Sequence, residues 1–349
     1  MQYFKHTTIN IYNNNTIKNI IINSLDEQSQ VSSRYPVQIS NYYAGLIKKQ
    51  DDAIWKQCMP DPQELEDFDQ FPDPLNEASL SPVPGLIHRY PDRVVLLVSN
   101  RCPVYCRFCM RKRLVGSGYA AMDEAEFREA LIYIAANPSI RDVILSGGDP
   151  LMLSDEALQR VLSGLRAISH ISIIRIGSRV PVTLPERITP ELCNMLKQFH
   201  PLYINTHFNH PAEITDDSGK ACAMLADAGI QLGNQTVLLK GVNDDVEVMR
   251  KLMTGLLGIR VKPYYLHQMD LVRGTAHFRT SVNSGLEIIR ALRGHISGLA
   301  VPHFVIDLPG GKGKVAILPD VMERNGDMLL LRTYTGEQVA YRDLTTVRE

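Results

Sequence analysis

Cys102, Cys106 and Cys109 stand in a CxxxCxxC spacing directly after the apolar run at residues 94–98, so three thiols leave one loop behind a strand-like stretch. A closed structural metal site takes four ligands, and iron–sulfur clusters are ordinarily held by four cysteines. Three with no evident fourth point to a site with one open coordination position, where an iron can bind a substrate or cofactor. The other readings are a zinc site completed by a distant His, a chance cluster, and a disulfide, the weakest in a chain with six cysteines. Cys58, Cys193 and Cys222 read as ordinary half-buried thiols. A second reactive group lies in the run Asp307-Leu-Pro-Gly-Gly-Lys-Gly-Lys-Val315, where Lys312 and Lys314 sit among glycines. A lysine on a constrained loop can reach an aldehyde, and desolvation favours the neutral amine that a Schiff base needs, so pyridoxal phosphate (PLP) is the implied partner. The same run also reads as a flexible basic turn or a phosphate loop, although it lacks the strand-then-helix context and the Ser/Thr of a Walker motif. Ser146-Gly147-Gly148-Asp149-Pro150 ends another apolar run. Its glycines let backbone groups approach a ligand closely, or simply make a tight turn.

Five segments together carry a resemblance. They are Cys106-Arg-Phe-Cys-Met-Arg-Lys-Arg113, Ser81-Pro-Val-Pro-Gly-Leu-Ile-His-Arg-Tyr-Pro-Asp-Arg93, Ile176-Gly-Ser-Arg179, Asn205-Thr-His-Phe-Asn-His-Pro211 and Pro309-Gly-Gly-Lys-Gly-Lys314. With the cysteine spacing, they resemble the lysine 2,3-aminomutases and their close relatives among the radical S-adenosylmethionine (SAM) enzymes, over residues 34 to 320. The resemblance implies a [4Fe–4S] cluster on Cys102, Cys106 and Cys109, with SAM on the open iron and Gly147, Gly148, Asp149, His207 and Gln235 as SAM neighbours. It implies PLP on Lys314; Lys312, where the family pattern has glycine, is the rival. Arg89, Tyr90 and Arg93 match the positions around the PLP phosphate and ring, and guanidinium suits bidentate phosphate contact. Arg111 matches the residue that clamps the substrate carboxylate. Asp270 and Asp307 match the pair that receives the side-chain ammonium, and two acids in one buried site need a cation between them.

The implied activity is an isomerase reaction, migration of the α-amino group of L-lysine to the β-carbon. Relatives acting on glutamate replace the acidic pair, so retaining both Asp argues for a cationic amino acid: lysine, arginine, ornithine, or lysine destined for a translation factor. An electron donor such as flavodoxin or ferredoxin and a homodimer are further implications. Longer family members bind zinc through additional cysteines; here none follows Cys222, and Asp245 stands where one ligand would fall, so no zinc is expected. A rival from another class is a zinc-bearing nucleic-acid-binding module using Met110-Arg-Lys-Arg113 as a basic patch. A formal net charge of −1 gives it no support.

These groups need elements to hold them. Residues 1–33 read as a peripheral segment, and 35–80 as helical fragments broken by Pro60, Pro62, Pro72 and Pro74 that pack outside a barrel. Beyond Arg93, apolar runs at 94–98, 142–146, 171–177, 202–206, 231–239 and 261–266 read as strands, separated by helices near 123–136, 154–168, 189–199, 212–228 and 244–257. Six β/α units imply an α/β protein with a parallel, curled sheet. Spacing leaves a doubly wound sheet open; the resemblance makes it a partial (β/α)6 TIM-like barrel of the radical SAM type. The expected domains are an N-terminal extension at 1–92, the partial barrel at 93–300, and a C-terminal segment at 301–349 carrying the PLP lysine. In such a barrel reactive groups gather at the C-terminal ends of strands, where the motifs fall. Composition, 44% hydrophobic and 21% charged, fits a globular protein. No run approaches a membrane span and no signal-peptide pattern opens the chain, so the expectation is a cytoplasmic protein that binds small molecules rather than nucleic acid or membrane.

Overall fold

One sheet takes its nine strands in chain order: β1 (Leu86–Tyr90), β2 (Arg93–Ser99), β3 (Asp142–Gly147), β4 (Ile173–Gly177), β5 (Leu202–Thr206), β6 (Gln231–Leu238), β7 (Lys262–Gln268), β8 (His303–Asp307) and β9 (Lys314–Ala316). Strands β2 to β8 run parallel, while β1 and β9 are antiparallel at the two edges. The structure, a computed structural model, describes residues 29–66, 70–116, 122–326 and 328–343. The peripheral segment expected at the N-terminus lies outside the described residues for its first 28 positions. All six expected strands form, and β8 adds a seventh parallel one. Among the described residues β9 does not pair back to β1, so the sheet is an open, partial barrel. The boundary expected at 300 falls just before β8, which joins the sheet. A separate antiparallel sheet follows, from β10 (Met322–Asn325), β11 (Met328–Arg332) and β12 (Gln338–Arg342).

Alternation along the strands decides what faces the interior. Val143 and Leu145 on β3, Ile174 and Ile176 on β4, Ile204 on β5 and Leu232 and Leu238 on β6 are buried in the main apolar core. Their odd-even partners, Ile144 and Ser146, Arg175 and Gly177, Asn205, and Gln235, line the cavity inside the sheet. The period of two thus sorts apolar residues toward the covering helices and polar ones toward the interior. The helices are α1 (Ser29–Arg34), α2 (Asn41–Ala44), α3 (Ala53–Cys58), α4 (Glu124–Ala136), α5 (Asp155–Arg166), α6 (Val180–Thr183), α7 (Pro190–Leu196), α8 (Asp216–Asp227), α9 (Val246–Gly258) and α10 (Val282–Leu292). Helix α5 buries Leu158, Leu162 and Leu165, one stripe at helical spacing, and starts at Ser154, whose hydroxyl accepts from the Ala157 N–H. Asp245 caps α9, accepting from the N–H groups of Glu247 and Val248. That gives this residue a local structural task worth about 1 kcal/mol. No helix of the described residues is long and apolar enough to cross a membrane.

The N-terminal extension does more than cover the barrel. Tyr105 N–H donates to the Gln38 carbonyl and Arg107 N–H to the Gln57 carbonyl, both at 2.9 Å, so the extension is stitched to the cysteine loop. Beneath that loop Glu64 is fully buried, 2.5 Å from Arg107 Nη2 and 2.6 Å from Lys112 Nζ. Burial alone would raise the Glu64 carboxyl, but the two cations outweigh it and hold it below its usual range. Burial pushes the Lys112 ammonium down to about 8.

Candidate active site

The cysteine loop leaves the end of β2 and returns under the extension. Cys102, Cys106 and Cys109 line one cavity of about 270 Å³, together with Gly147, Gly148, Asp149, His207 and Gln235. The other three cysteines are buried outside that lining. Burial, reinforced by the Asp149 charge, pushes the Cys102 thiol well up, and burial raises Cys109 to about 11. A bound cation is what turns such thiols into thiolate ligands. Three sulfurs lining one cavity, with no fourth cysteine beside them among the described residues, are a donor set that fits a cluster with one open iron.

The glycines do their work against protein backbone. Gly147 has φ +118°, and a Cβ there would lie 2.3 Å from the Ser99 carbonyl oxygen; at Gly148 it would lie 2.5 Å from that of Arg101. Backbone hydrogen bonds from Gly148 to Ser99, at 2.6 Å, and from Asp149 to Arg101, at 2.7 Å, complete the seam. Asp149 itself is occupied: its carboxylate accepts from Ser178 Oγ and from the N–H groups of Leu151, Arg179 and Val180. It locks the turn after β3 to the turn after β4. Burial pushes its carboxyl up to about 6, against those four donors. His207 differs. Burial and the nearby Arg179 charge hold its imidazole well below the ordinary range, and its Nε2 is buried with no hydrogen-bond partner among the described residues. The residue lines the same cavity as the three cysteines.

A second cavity of about 770 Å³ lies inside the sheet and shares Arg111, Ser146, Gln235 and Asp307 with the first, so the two adjoin. Strands β8 and β9 bring Lys314 directly opposite Asp307 in register. The Lys314 ammonium is ion-paired to Asp307 Oδ2, and His267 Nδ1 lies 3.3 Å from both groups. Lys312 is exposed on the preceding turn. Burial would raise the Asp307 carboxyl, but the His267 hydrogen bond and the Lys314 charge hold it well below the usual range. Asp270 has no hydrogen bond or ion pair to its carboxylate among the described residues; burial and the Asp307 charge push it up to about 7.

Arg89 Nη1 lies 3.8 Å from Asp307, its Nε is buried without a partner, and the Arg93 guanidinium stacks 3.9 Å over the Tyr90 ring. Tyr90 Oη accepts from the Lys314 backbone N–H at 2.8 Å, which ties the β8–β9 hairpin to β1. Two arginines, a lysine and a cavity of this size fit a phosphorylated aldehyde. Arg111 is gripped along its side edge by Glu77, through Nε at 3.0 Å and Nη2 at 2.8 Å, while Nη1 donates to Ser146 Oγ. These bonds use three of its five N–H groups and leave one on each terminal nitrogen.

Sequence reasoning missed His267, Glu77 and the set around Arg179. His267 was findable from parity, standing two positions past Tyr265 on the cavity face of β7. Glu77 lies in a proline-broken stretch with no periodicity to mark it.

Comparisons with known proteins give the family. The chain matches the Radical SAM superfamily over residues 96–253 and Lysine-2,3-aminomutase over residues 289–347. It is 53% identical over 309 residues to the L-lysine 2,3-aminomutase of Fusobacterium nucleatum, covering 87% of this chain and 73% of that protein. Identity to the L-lysine 2,3-aminomutase of Clostridium subterminale is 52% over 309 residues, covering 87% and 74%. The glutamate 2,3-aminomutase of Clostridioides difficile is 46% identical over 317 residues, covering 90% and 75%. With three cysteines on the loop after the first parallel strand and this similarity along most of its length, the chain belongs to the lysine 2,3-aminomutase family of radical SAM enzymes, which are isomerases.

Proposed function

We propose that the protein converts L-lysine to β-lysine, with SAM and a [4Fe–4S] cluster in the smaller cavity and PLP on Lys314 in the larger. The observation that carries the choice of substrate is the acid pair. With Lys314 free, Asp307 is paired with the Lys314 ammonium and more distantly with the Arg89 guanidinium, and Asp270 lacks a cation. A substrate bearing a terminal ammonium supplies the missing charge. A glutamate side chain would bring a third carboxylate to the same place, which disfavours the activity named for the Clostridioides difficile relative.

Cys102, Cys106 and Cys109 would hold the cluster; His207 and Gln235, on the lining of the same cavity, would neighbour SAM. Arg89 and Arg93 would hold the PLP phosphate. When bound, these groups supply the radical that removes a substrate hydrogen and the carrier on which the amine moves. The chain's own part is binding and placement. Glu77 fixes the plane of Arg111, so the guanidinium meets the substrate carboxylate without reorienting. The carboxylate at one end and the ammonium at the other then set the β-carbon between the two cavities.

Incubating the reconstituted enzyme with lysine, arginine, ornithine and glutamate, followed by product identification, tests the proposal. β-Lysine as the main product is expected. A β-amino acid formed from glutamate in preference to lysine would overturn it.

A further inference from the structure

Arg179 is a buried cation that the aminomutase reading leaves without a task. It follows β4 and is 8% exposed. Its Nη1 lies 2.7 Å from Cys106 Sγ. Its Nη2 meets Glu213 Oε1 at 2.7 Å, Gln57 Oε1 at 2.5 Å and Tyr43 Oη at 3.1 Å, and its Nε donates to the His207 carbonyl at 3.1 Å. Phe108 and Tyr43 flank the guanidinium, each ring centre 5.3 Å away. Contacts from helices α2 and α3, the loop after β5 and the cysteine loop thus fix one N–H against one sulfur. Neither Cys102 nor Cys109 receives a side-chain donor among the described residues.

We propose that Arg179 raises the reduction potential of the iron–sulfur cluster through a charge-assisted hydrogen bond to the Cys106 sulfur, and that Glu213 sets how much of that charge the cluster feels. The inference rests on the reading of the three cysteines as cluster ligands. Reduction adds one electron to the cluster from an external donor; no bond forms or breaks, and the guanidinium keeps its proton throughout. A fixed N–H and a positive charge beside a ligating sulfur stabilise the more negative, reduced state. Salt screens buried charges little, so the effect persists at physiological ionic strength. Glu213 is fully buried and paired to the same guanidinium, so it offsets part of the charge. Arg179 acts through Cys106 and is a positioning residue. If it served only to neutralise Glu213 and anchor the extension, its loss would lower stability and leave the potential where it was.

The test compares reconstituted wild type, Arg179→Gln, Arg179→Lys and Glu213→Gln by iron and sulfide content and by dithionite titration followed by electron paramagnetic resonance. Arg179→Gln should weaken reduction by about tenfold, a shift of about 59 mV to more negative potential for a one-electron couple. Arg179→Lys, which keeps the charge and loses the fork, should fall between it and wild type. Glu213→Gln should shift the potential the other way. Opposite signs cannot come from general damage to the fold. Cluster-loaded variants whose potentials match wild type, or move in the same direction, would overturn the proposal. Should Arg179→Gln fail to take up iron, Glu213→Gln decides alone: a positive shift supports the assignment and no shift refutes it. Wild type without iron and sulfide would instead refute the cluster assignment itself.

Discussion

Asp270 and Asp307 line the same cavity yet titrate on opposite sides of the ordinary carboxyl range, because only one of them holds a cation. Burial raises Asp270 to about 7, and Asp307 and Glu77 push the same way, while Lys314 and Arg89 act against them. A lysine ammonium docked against Asp270 would drive it fully ionised. Binding at pH 7 should then release roughly half a proton per site. Calorimetry in buffers of different ionisation enthalpy measures this, and Asp270→Asn should abolish it. The shift also has a sign for folding. The native state binds the Asp270 proton more tightly than the unfolded chain, so this group's contribution to stability falls as pH rises from the ordinary carboxyl range through 7. Asp270→Asn should therefore raise the melting temperature of the ligand-free protein by a few degrees at pH 8 and by little at pH 4. Near-equal gains at both would show that the carboxyl is not shifted.

At the scale of elements, the turn after β3 shows where sequence was legible and where it was not. Its glycines were visible, but the residues that demand them, Ser99 and Arg101, lie across the β2–β3 seam. Gly148→Ala would force the cysteine loop to move, costing on the order of 1–3 kcal/mol as overpacking does. The expected result is lower iron uptake with undiminished PLP binding, read by iron assay and by PLP absorbance. The six strands from 94 onward were legible because each combines an apolar outer face with turn residues at its ends. Strand β8 was not: five residues, His303–Asp307, run straight into the glycine loop. Strand β1, Leu86–Tyr90, has only its first two residues buried and forms by hairpin pairing to β2. The task of Arg179 was hidden by distance, since Gln57 and Tyr43 lie 122 and 136 residues away in the chain.

Across the whole molecule, the three cysteines line the smaller cavity and Lys314 the larger, while residues such as Arg111, Gln235 and Asp307 line both. Lys314→Ala should lose PLP attachment, seen as loss of the borohydride-fixed label from that peptide, and keep its full iron and sulfide. Cys102→Ala should do the reverse. Loss of iron in Lys314→Ala, or a label on Lys312 in wild type, would show that the hairpin is assigned wrongly. The stitched extension has a consequence for biosynthesis. The cysteines and the groups that pin their loop, from Gln38 to Glu213, are all synthesised before Lys314. At roughly 5–20 residues per second the ribosome needs several seconds more to reach that lysine. A nascent chain therefore carries its iron ligands and their braces before the residue that would carry PLP exists, although the far wall of the cysteine cavity, Asp270 and Asp307, is made only shortly before that lysine.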